Sequence, residues 1–516
     1  MATPTNPNLV YIFTDQQRAD TMAAYGNEWI DTPNLNRLAD SSFIFENAYV
    51  SSPICTPSRS TQMTGLWPHT NGCIKNNIPL PDDVQTFAEF FPSEYHTAYY
   101  GKWHLGDEVI KRNGWDEWHS IEDQYRIWNT KPEHDEVLSD YHHWLVGLGY
   151  EPDKESRGKM VFSRPFTASL PAEHTKATYL GDRVSEFIDE RKDNPFAICI
   201  NFLEPHPPYV GPTDGMYDPA ELPQTPVFMV NPPENAAGMH RLMAEAQQAG
   251  NDGPSSPGSI SAANEVMGRD LPPEEAAGEG PASNSEEEYR RIQASYYGLV
   301  TLMDKAVGKI LDAIDDAGIA DNTIIVFTSE HGDQMGDHNF FQKIVMYEQS
   351  VKVPCLMRIP WLDNQRVLGR YSHIDTIPTL LDAMGIDVPD HLQGSSKVQR
   401  LKDGKSLEDN YIFLDWNGRS IDQKFPLSEL ERMREIPHRC VVSGDGWKLN
   451  LSVGDQSELY DLNSDPYEQV NLYDDPAYKD KVLHLATKIR EWQIETNDTA
   501  LIPDVYPGTG HVEGMR

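Results

Sequence analysis

The chain has 516 residues, and 43 Lys and Arg stand against 80 Asp and Glu, which gives a formal net charge of −37. This charge argues against a nucleic-acid binder or a protein held on membranes by basic residues, because both need a positive surface. Hydrophobic residues form 39% of the chain and aromatic residues 10%, which is enough for a large packed core. Five cysteines without metal-finger spacing argue against a disulfide scaffold.

The N-terminal sequence and the hydropathy pattern bear on location. The first residues, MATPTNPNLVYIFTD, lack the basic start and the continuous apolar stretch of a secretory signal. No apolar run in the sequence approaches the roughly 18 residues of a membrane span. The sequence as written therefore predicts a cytoplasmic protein without a membrane segment, or a periplasmic or secreted one if a leader has been removed.

Short β-branched runs alternate with helical patterns along most of the chain. The predicted strands are 9–14, 97–100, 196–203 and 323–329, and the predicted helices are 33–40, 175–191 and 286–317. This alternation is typical of a mostly parallel sheet flanked by helices. We therefore expect an α/β fold with a large mixed, mostly parallel sheet.

Two changes in composition indicate the domain organisation. Residues 211–286 are rich in Pro, Gly, Ser, Asn and acidic residues, which favours a partly mobile surface insertion over a specificity lid. Late in the chain, strand-like runs at 411–415, 440–442 and 447–451 precede a helical pattern at 480–496. The sequence therefore predicts a catalytic α/β domain over 1–396 and a smaller α+β domain over 397–516, with an antiparallel sheet and a terminal helix.

Reactive side chains follow each predicted strand of the large domain. In chain order these are Asp15 and Gln16, Lys102 and His104, His206, and Glu330 and His331. In an open parallel sheet, ligands bind outside the carboxyl ends of the strands. We therefore expect these side chains to converge in one active site.

The most specific segment runs from Cys55 to Arg59 and reads CTPSR. Its proline lies just inside a helical run, which predicts that Cys55 is at a helix N-terminus, where free N–H groups favour an anion. Three residues separate the cysteine from the arginine, whereas the phosphatase loop that uses a thiolate has five. A thiolate nucleophile and a buried, inert thiol beside a surface arginine both remain open from the residues alone.

The ordered motifs resemble the sulfatases of the alkaline phosphatase superfamily. CTPSR (55–59) matches their C-x-P-S-R signature, and the family's order is kept by TDQQRAD (14–20), GKWHLG (101–106), PHPPY (205–209), SEHGDQMGDH (329–338) and ELYDLNSDPYEQVNL (458–472). The resemblance implies an alkaline-phosphatase-like fold. It also implies that a dedicated formylglycine-generating maturation enzyme converts Cys55 to Cα-formylglycine.

The resemblance further implies how such an enzyme works. The aldehyde hydrates, one hydroxyl attacks sulfur, and the second lets sulfate leave by re-forming the carbonyl, so that one hard displacement becomes two easier steps. The implied ligands of a divalent metal are Asp15, Gln16, Glu330 and His331, together with the converted Cys55. Gln and Glu depart from the acids usual at their two positions, and the flexible coordination of Ca²⁺ tolerates this best, with Mn²⁺ and Mg²⁺ as alternatives.

The remaining roles concern the anion and its protons. Lys102 and Lys343 match the family's sulfate-contacting lysines, and Arg59 is expected to hold the formylglycine hydrate. His104 matches the residue that takes the proton of the hydrate. His206 is our expected proton donor to the leaving alcohol, with Lys343 as its competitor.

The sequence thus predicts a sulfatase that hydrolyses an organic sulfate ester on a sulfated small molecule or glycan. Phosphonate monoester and phosphodiester hydrolases, and choline sulfatases, resemble the same motifs and remain alternatives. If Cys55 stays a thiol, a binder of sulfated glycans without catalysis is a further alternative. Asn76, 21 residues after Cys55, is expected to contact sulfate or substrate, or else to cap a loop.

Overall fold

The computed structural model describes residues 4–248, 285–418 and 429–505. In chain order the strands are β1 (Asn8–Thr14), β2 (Phe43–Tyr49), β3 (His96–Gly101), β4 (Glu117–Ser120), β5 (Lys154–Ser156), β6 (Lys159–Val161), β7 (Phe196–Asn201), β8 (Thr323–Ser329), β9 (Lys352–Val353), β10 (Cys355–Arg358), β11 (Arg366–Ser372), β12 (Ile412–Trp416), β13 (His438–Val442), β14 (Trp447–Ser452) and β15 (Glu458–Asp461).

The α-helices of the described residues surround these strands. They are α1 (Pro33–Asp40), α2 (Cys55–Thr64), α3 (Pro68–Asn71), α4 (Asp140–Gly147), α5 (Arg164–Ala168), α6 (Lys176–Arg191), α7 (Gly238–Gln248), α8 (Glu286–Asp316), α9 (Glu348–Val351), α10 (Thr376–Met384), α11 (Val398–Lys402), α12 (Glu429–Arg434) and α13 (Lys479–Thr496). None of them is both long enough and apolar enough to cross a bilayer.

The described residues form one large sheet with the strand order β11-β2-β10-β8-β1-β7-β3-β4, and β9 pairs with β2 as a ninth strand. The five strands from β8 to β4 are all parallel to their neighbours. β10 runs antiparallel between β8 and β2, and β11 is parallel to β2. The predicted α/β fold with a mixed, mostly parallel sheet is confirmed.

The central strands are buried on both faces, which explains their nearly continuous apolar sequences. Along β1, Tyr11 and Phe13 point into one core cluster, whereas Val10 and Ile12 point into another on the opposite face. Helices α1, α6 and α8 supply apolar residues to the cluster of Val10. Helices α7 and α10 contribute to the cluster of Tyr11.

The C-terminal part is a smaller unit with a four-stranded antiparallel sheet in the order β12-β13-β14-β15. Helix α13 packs on it through Leu485 and Ile489, which share a buried cluster with Leu449 and Leu459. The opposite face of this sheet joins the core of the large sheet. This is the antiparallel sheet with a terminal helix that the sequence predicts.

The segment predicted as a surface insertion, 211–286, is described up to residue 248. Its helix α7 buries Met239 and Met243 in the main core. Just before that helix, the backbone N–H of Ala237 donates to Glu458 Oε1 at 2.8 Å. The described part is therefore packed between the large sheet and the C-terminal unit, and residues 249–284 of the predicted insertion lie outside the described residues.

Candidate active site

Cys55 is the first residue of α2, directly after the extended residue Ile54. The helix ends at Gly65, whose φ of +66° is the left-handed conformation that glycine adopts readily. Cys55 and Arg59 are four residues apart and therefore lie on the same face of the helix. The N-terminal end of α2, with its free N–H groups, thus presents both side chains to the ends of the sheet strands.

The end of the sheet brings two pairs of reactive residues together. Strands β1 and β8 are parallel neighbours in a register that pairs Thr14 with Ser329, so the residues that follow emerge side by side. The ligand atoms of four buried residues lie within 4.8 Å of one another, and these residues are Asp15, Cys55, Glu330 and His331. The Cys55 sulfur is 3.3 Å from His331 Nε2.

Three buried cations surround this group. Arg59 Nε forms an ion pair with Glu330 Oε2, and its Nη2 lies 3.5 Å from Asp15 Oδ2. Lys102 Nζ pairs with the same Asp15 oxygen. Lys343 Nζ donates to Gln16 Oε1 at 2.5 Å. The predicted sulfate-binding cations therefore contact the predicted metal ligands directly.

Lys102 is positioned by the glycine before it. Gly101 has a φ of +118°, and a Cβ at this position would lie 2.0 Å from the backbone oxygen of Asn201 in β7. Only glycine fits where β3 approaches β7 so closely. The next N–H, that of Lys102, donates to the same Asn201 oxygen at 3.1 Å, which turns the lysine into the site.

The charges in the site control the protonation of its acids. Burial alone raises the pKa of the Asp15 carboxyl, yet Lys102, together with His206, Glu330 and Lys343, outweighs burial and holds that pKa well below its ordinary value. Burial and the Lys343 charge act to lower the pKa of His331, but Cys55 and Glu330 raise it to about 9. Without a bound cation, the surroundings of His331 therefore favour its protonated form, whereas a bound cation would supply the positive charge instead and leave the imidazole neutral.

The donor set fits a divalent cation. Asp15 Oδ1 and Glu330 Oε1 are buried, and neither has a hydrogen-bond partner among the described residues. Buried oxygens of this kind are costly unless a donor or a cation satisfies them. Carboxylate oxygens together with one imidazole suit a hard or borderline divalent ion. Gln16 is the other predicted ligand. Its side-chain oxygen accepts a hydrogen bond from Lys343, and the second lone pair of that oxygen is available to a cation.

The two predicted catalytic histidines have different local contacts. His104 has a φ of +55°, its ring stacks on Tyr125 at 4.0 Å, and its Nε2 lies 2.9 Å from Asn77 Oδ1. His206 is half-buried, and its Nδ1 lies 2.8 Å from the backbone oxygen of Pro207. Burial holds the pKa of both imidazoles well below the ordinary value, so both are neutral at physiological pH.

Asn76 contacts the start of α2. Its Oδ1 accepts a hydrogen bond from the backbone N–H of Thr56 at 2.9 Å. This N–H is one of the four at the helix start that lack a partner within the helix. Of the two predicted roles for Asn76, the structure therefore contains the capping contact, and a contact with substrate stays a prediction.

Sequence reasoning did not single out the residues that hold Gln16 in place. Its amide nitrogen donates to Tyr209 at 2.6 Å and to Asp333, and Tyr209 also donates to Asp333 at 2.5 Å. Tyr209 and Asp333 are parts of the PHPPY and SEHGDQMGDH motifs, which was the only signal available in the sequence. Tyr125, which stacks on His104, belongs to no motif.

We expect Asp333→Ala to lower the free energy of unfolding by about 3 kcal/mol, because it removes a buried acceptor of several hydrogen bonds. The carboxylate also accepts from the backbone N–H groups of Met335 and Gln342 at 2.8 and 2.9 Å. Urea unfolding measures the change. The matched variant Tyr209→Phe removes one hydroxyl and is expected to cost about 1 kcal/mol. A loss below about 0.5 kcal/mol for Asp333→Ala would contradict this account.

The fold and the site define an α/β enzyme with a buried, cation-lined centre at the carboxyl ends of parallel strands. Comparison with known families identifies it further. The family model described as Sulfatase matches residues 7–386, and one described as N-sulphoglucosamine sulphohydrolase, C-terminal, matches residues 336–495. The chain belongs to the sulfatase family, as its motifs predict, and it is a sulfuric ester hydrolase.

Individual relatives cover nearly the whole chain. An ulvan-active sulfatase of Formosa agariphila is 27% identical over 519 residues, which cover 98% of this chain and 84% of that protein. A protein solved in complex with its substrate D-glucosamine-2-N,6-O-disulfate has a TM-score of 0.72 at 22% identity, and covers 96% of this chain and 99% of its own. The phosphonate monoester hydrolase of Agrobacterium radiobacter has a TM-score of 0.69 at 24% identity, and the match covers 95% of this chain and 96% of that protein. The alkaline-phosphatase-like fold is thereby confirmed.

Proposed function

We propose that this enzyme hydrolyses the sulfate ester of a sulfated carbohydrate, with Cys55 converted to formylglycine and a divalent cation beside it. The observation that carries the proposal is the position of Cys55. Its sulfur lies at the N-terminus of α2, 3.3 Å from His331 Nε2 and within 4.8 Å of ligand atoms of Asp15 and Glu330. The relatives that act on sulfated sugars, including the ulvan-active sulfatase, support the choice of substrate class.

The charge balance of the site supports an anionic substrate. Three buried cations, Arg59, Lys102 and Lys343, stand against the carboxylates of Asp15 and Glu330. A bound divalent cation would increase this excess of positive charge. The negative charge of a bound sulfate ester would reduce it. Fixed positive groups stabilise the negative charge that grows on the leaving oxygen, and they do so strongly where water is excluded.

The proposed ligands of the cation are Asp15, Glu330 and His331, with the oxygens of Gln16 and of the converted Cys55 completing the set. When bound, the cation supplies Lewis acidity at the oxygen of residue 55. We favour Ca²⁺, because its flexible coordination accommodates the longer Glu330 and the neutral Gln16, and Mn²⁺ or Mg²⁺ remain alternatives.

Residue 55 is the proposed nucleophile, and His104 is the proposed base. The formylglycine hydrate offers one hydroxyl for attack on sulfur and a second whose deprotonation re-forms the aldehyde and releases sulfate. Neutral His104 is able to accept that proton. Stacking on Tyr125 and the contact with Asn77 hold its ring in one orientation. Arg59 and Lys102 border the anion.

Of the two candidate proton donors to the leaving alcohol, we favour His206 over Lys343. Lys343 Nζ donates to Gln16 Oε1 at 2.5 Å, and the neighbouring Asp15 and Glu330 charges act to raise its pKa, so this lysine is a poor acid. His206 also lines an indentation that is partly open to solvent, and we propose that the leaving group lies there. The negative charge of a bound sulfate ester opposes the burial that keeps His206 neutral.

The test compares sulfur with phosphorus chemistry. We expect kcat/KM for 4-nitrophenyl sulfate to exceed that for 4-nitrophenyl phenylphosphonate by at least about tenfold. Neutral Gln16 is the feature that keeps the phosphonate reaction as a second candidate, because it lowers the negative charge next to the reacting group. Faster phosphonate cleavage would establish that second candidate. Sulfate-ester binding without any turnover would instead favour the non-catalytic binder.

A further inference from the structure

The indentation beside His206 has a polar wall that the proposed mechanism does not use. It encloses about 390 Å³, part of which is open to solvent, and lies between α5, the start of α6 and α8. Arg164, Lys176 and Glu204 line it together with His206. These charged residues are unusual in such a position, because charged side chains are rarely buried unless they are paired or functional.

The two cations of the wall share one carboxylate. Arg164 Nε and Lys176 Nζ share a single carboxylate oxygen, Glu122 Oε2, at distances of 2.8 and 3.2 Å. The three side chains are 13%, 5% and 1% exposed, so water screens the charges weakly. Arg164 and Lys176 therefore depend on the same carboxylate oxygen, and Glu204 is the second acid of the wall. The other Glu122 oxygen accepts from the backbone N–H of Gln124 at 3.1 Å.

Two polar atoms of the same wall are buried without hydrogen-bond partners among the described residues. They are the donor Arg164 Nη2 and the acceptor Glu204 Oε2. The second Glu204 oxygen accepts from the backbone N–H of Ala177 at 3.3 Å. An unpaired buried donor and an unpaired buried acceptor each carry a desolvation cost. A ligand with an anionic oxygen next to a hydroxyl group satisfies both atoms.

This wall is connected to the catalytic residues through Tyr125. The Arg164 guanidinium lies 4.9 Å from the centre of that ring, and Lys102 Nζ lies 5.0 Å from it. His104 stacks on the same ring. Arg164 thus shares a ring contact with Lys102 and His104, which places a group bound to Arg164 near the proposed sulfate site.

We propose that Arg164, supported by Lys176 and Glu122, binds a second anionic group of the substrate, a carboxylate or a second sulfate, while Glu204 accepts a neighbouring sugar hydroxyl. The substrate class is then an acidic sulfated sugar rather than a neutral one. This inference rests on the proposed function, because it places the leaving sugar beside His206. Arg164 acts here in binding and specificity.

The kinetic test uses pairs of substrates that differ only in the second charge. These are the 2-O- and 3-O-sulfates of methyl glucuronide against those of methyl glucoside, and glucosamine 6-O-sulfate with and without N-sulfate. In at least one pair, we expect kcat/KM to be about 30-fold higher for the doubly anionic substrate. This ratio corresponds to the contribution of one charge-assisted hydrogen bond. Arg164→Gln should reduce that ratio to about threefold or less.

The matched control is Arg183→Gln, which removes an exposed arginine that pairs with Glu186 on α6. It should leave the ratio unchanged. Arg164→Lys keeps a positive charge beside Glu122 but loses the paired N–H donors of the guanidinium, and it should give an intermediate ratio. If Arg164→Gln does not fold, Lys176→Met takes its place. The absence of any charge preference, or an equal loss for both members of a pair, overturns the proposal.

A binding measurement separates this proposal from the proposed function. Calorimetry with unsulfated methyl glucuronide and methyl glucoside requires no turnover. We expect the glucuronide to bind at least about tenfold more tightly, and Arg164→Gln to remove the difference. If no sulfate ester is hydrolysed but this difference is found, the proposed function fails and the acidic subsite stands. If sulfate esters are hydrolysed without a charge preference, the subsite fails and the function stands.

Discussion

Cys55→Ala is expected to lower kcat/KM for an aryl sulfate by at least about 10⁴-fold, because it removes the nucleophile of a covalent mechanism. The protein should be produced together with a formylglycine-generating enzyme and assayed with 4-nitrophenyl sulfate. The side chain is small and 2% exposed, so alanine fills most of its space and the fold should persist. Circular dichroism checks this.

The matched control is Cys440→Ala, which removes an equally buried thiol from the C-terminal sheet. It should keep nearly full turnover. Peptide mass spectrometry of the wild-type segment around Cys55 should detect the lower mass of an aldehyde side chain. An unmodified thiol in a fully active enzyme, or full activity in Cys55→Ala, would rule out the formylglycine mechanism.

The central elements of the fold could be predicted because their sequences carry strong local signals. The strand predicted at 323–329 has the observed bounds of β8, whose residues are apolar or β-branched and all buried. The helix predicted at 175–191 is observed as α6, with Thr175 as its N-cap accepting from the N–H of Thr178. Signals of this kind depend only on residues that are close in sequence, so they can be recognised without knowledge of tertiary contacts.

Other boundaries depend on tertiary contacts and were not predictable. The strand predicted at 196–203 ends at Asn201, because pairing with β3 stops there, although the next two residues are apolar and buried. Strands β4, β10 and β11 were not predicted. β4 and β10 have four residues each, and β11 contains a register shift between Val367 and Arg370. Short or irregular strands carry too little periodicity to stand out.

For the site, the sequence predicted which strand ends meet but not what surrounds them. The positions of Asp15, Glu330 and His331 follow from the rule for parallel strands, and the structure brings these residues together. The role of Tyr125 does not follow from it, because this residue of a short 3-10 helix between β4 and α4 reaches His104 only through the packing of the whole domain. The neutral state of His206 does not follow from the sequence either, because burial lowers the pKa of its imidazole.

Asp15→Ala is expected to lower both activity and stability strongly. It removes a proposed ligand of the cation and the carboxylate that pairs with Lys102, whose side chain is completely buried. An uncompensated buried charge typically costs about 3–5 kcal/mol in the free energy of unfolding. Turnover of an aryl sulfate should fall on the order of 10³-fold or more, because the fixed charges around the reacting group are lost together with the cation. Urea unfolding, steady-state kinetics and elemental analysis of bound metal measure the three effects.

The matched control is Asp182→Ala, which breaks an exposed pair with Lys309 on the protein surface. Such pairs contribute about 0–1 kcal/mol, so this variant should retain stability, activity and metal. In the wild type, a chelator should remove activity and lower the melting temperature, and Ca²⁺ should restore both better than Mg²⁺. If Asp15→Ala loses stability but keeps its metal and its turnover, then Asp15 serves only to neutralise Lys102, and the cation must be held elsewhere.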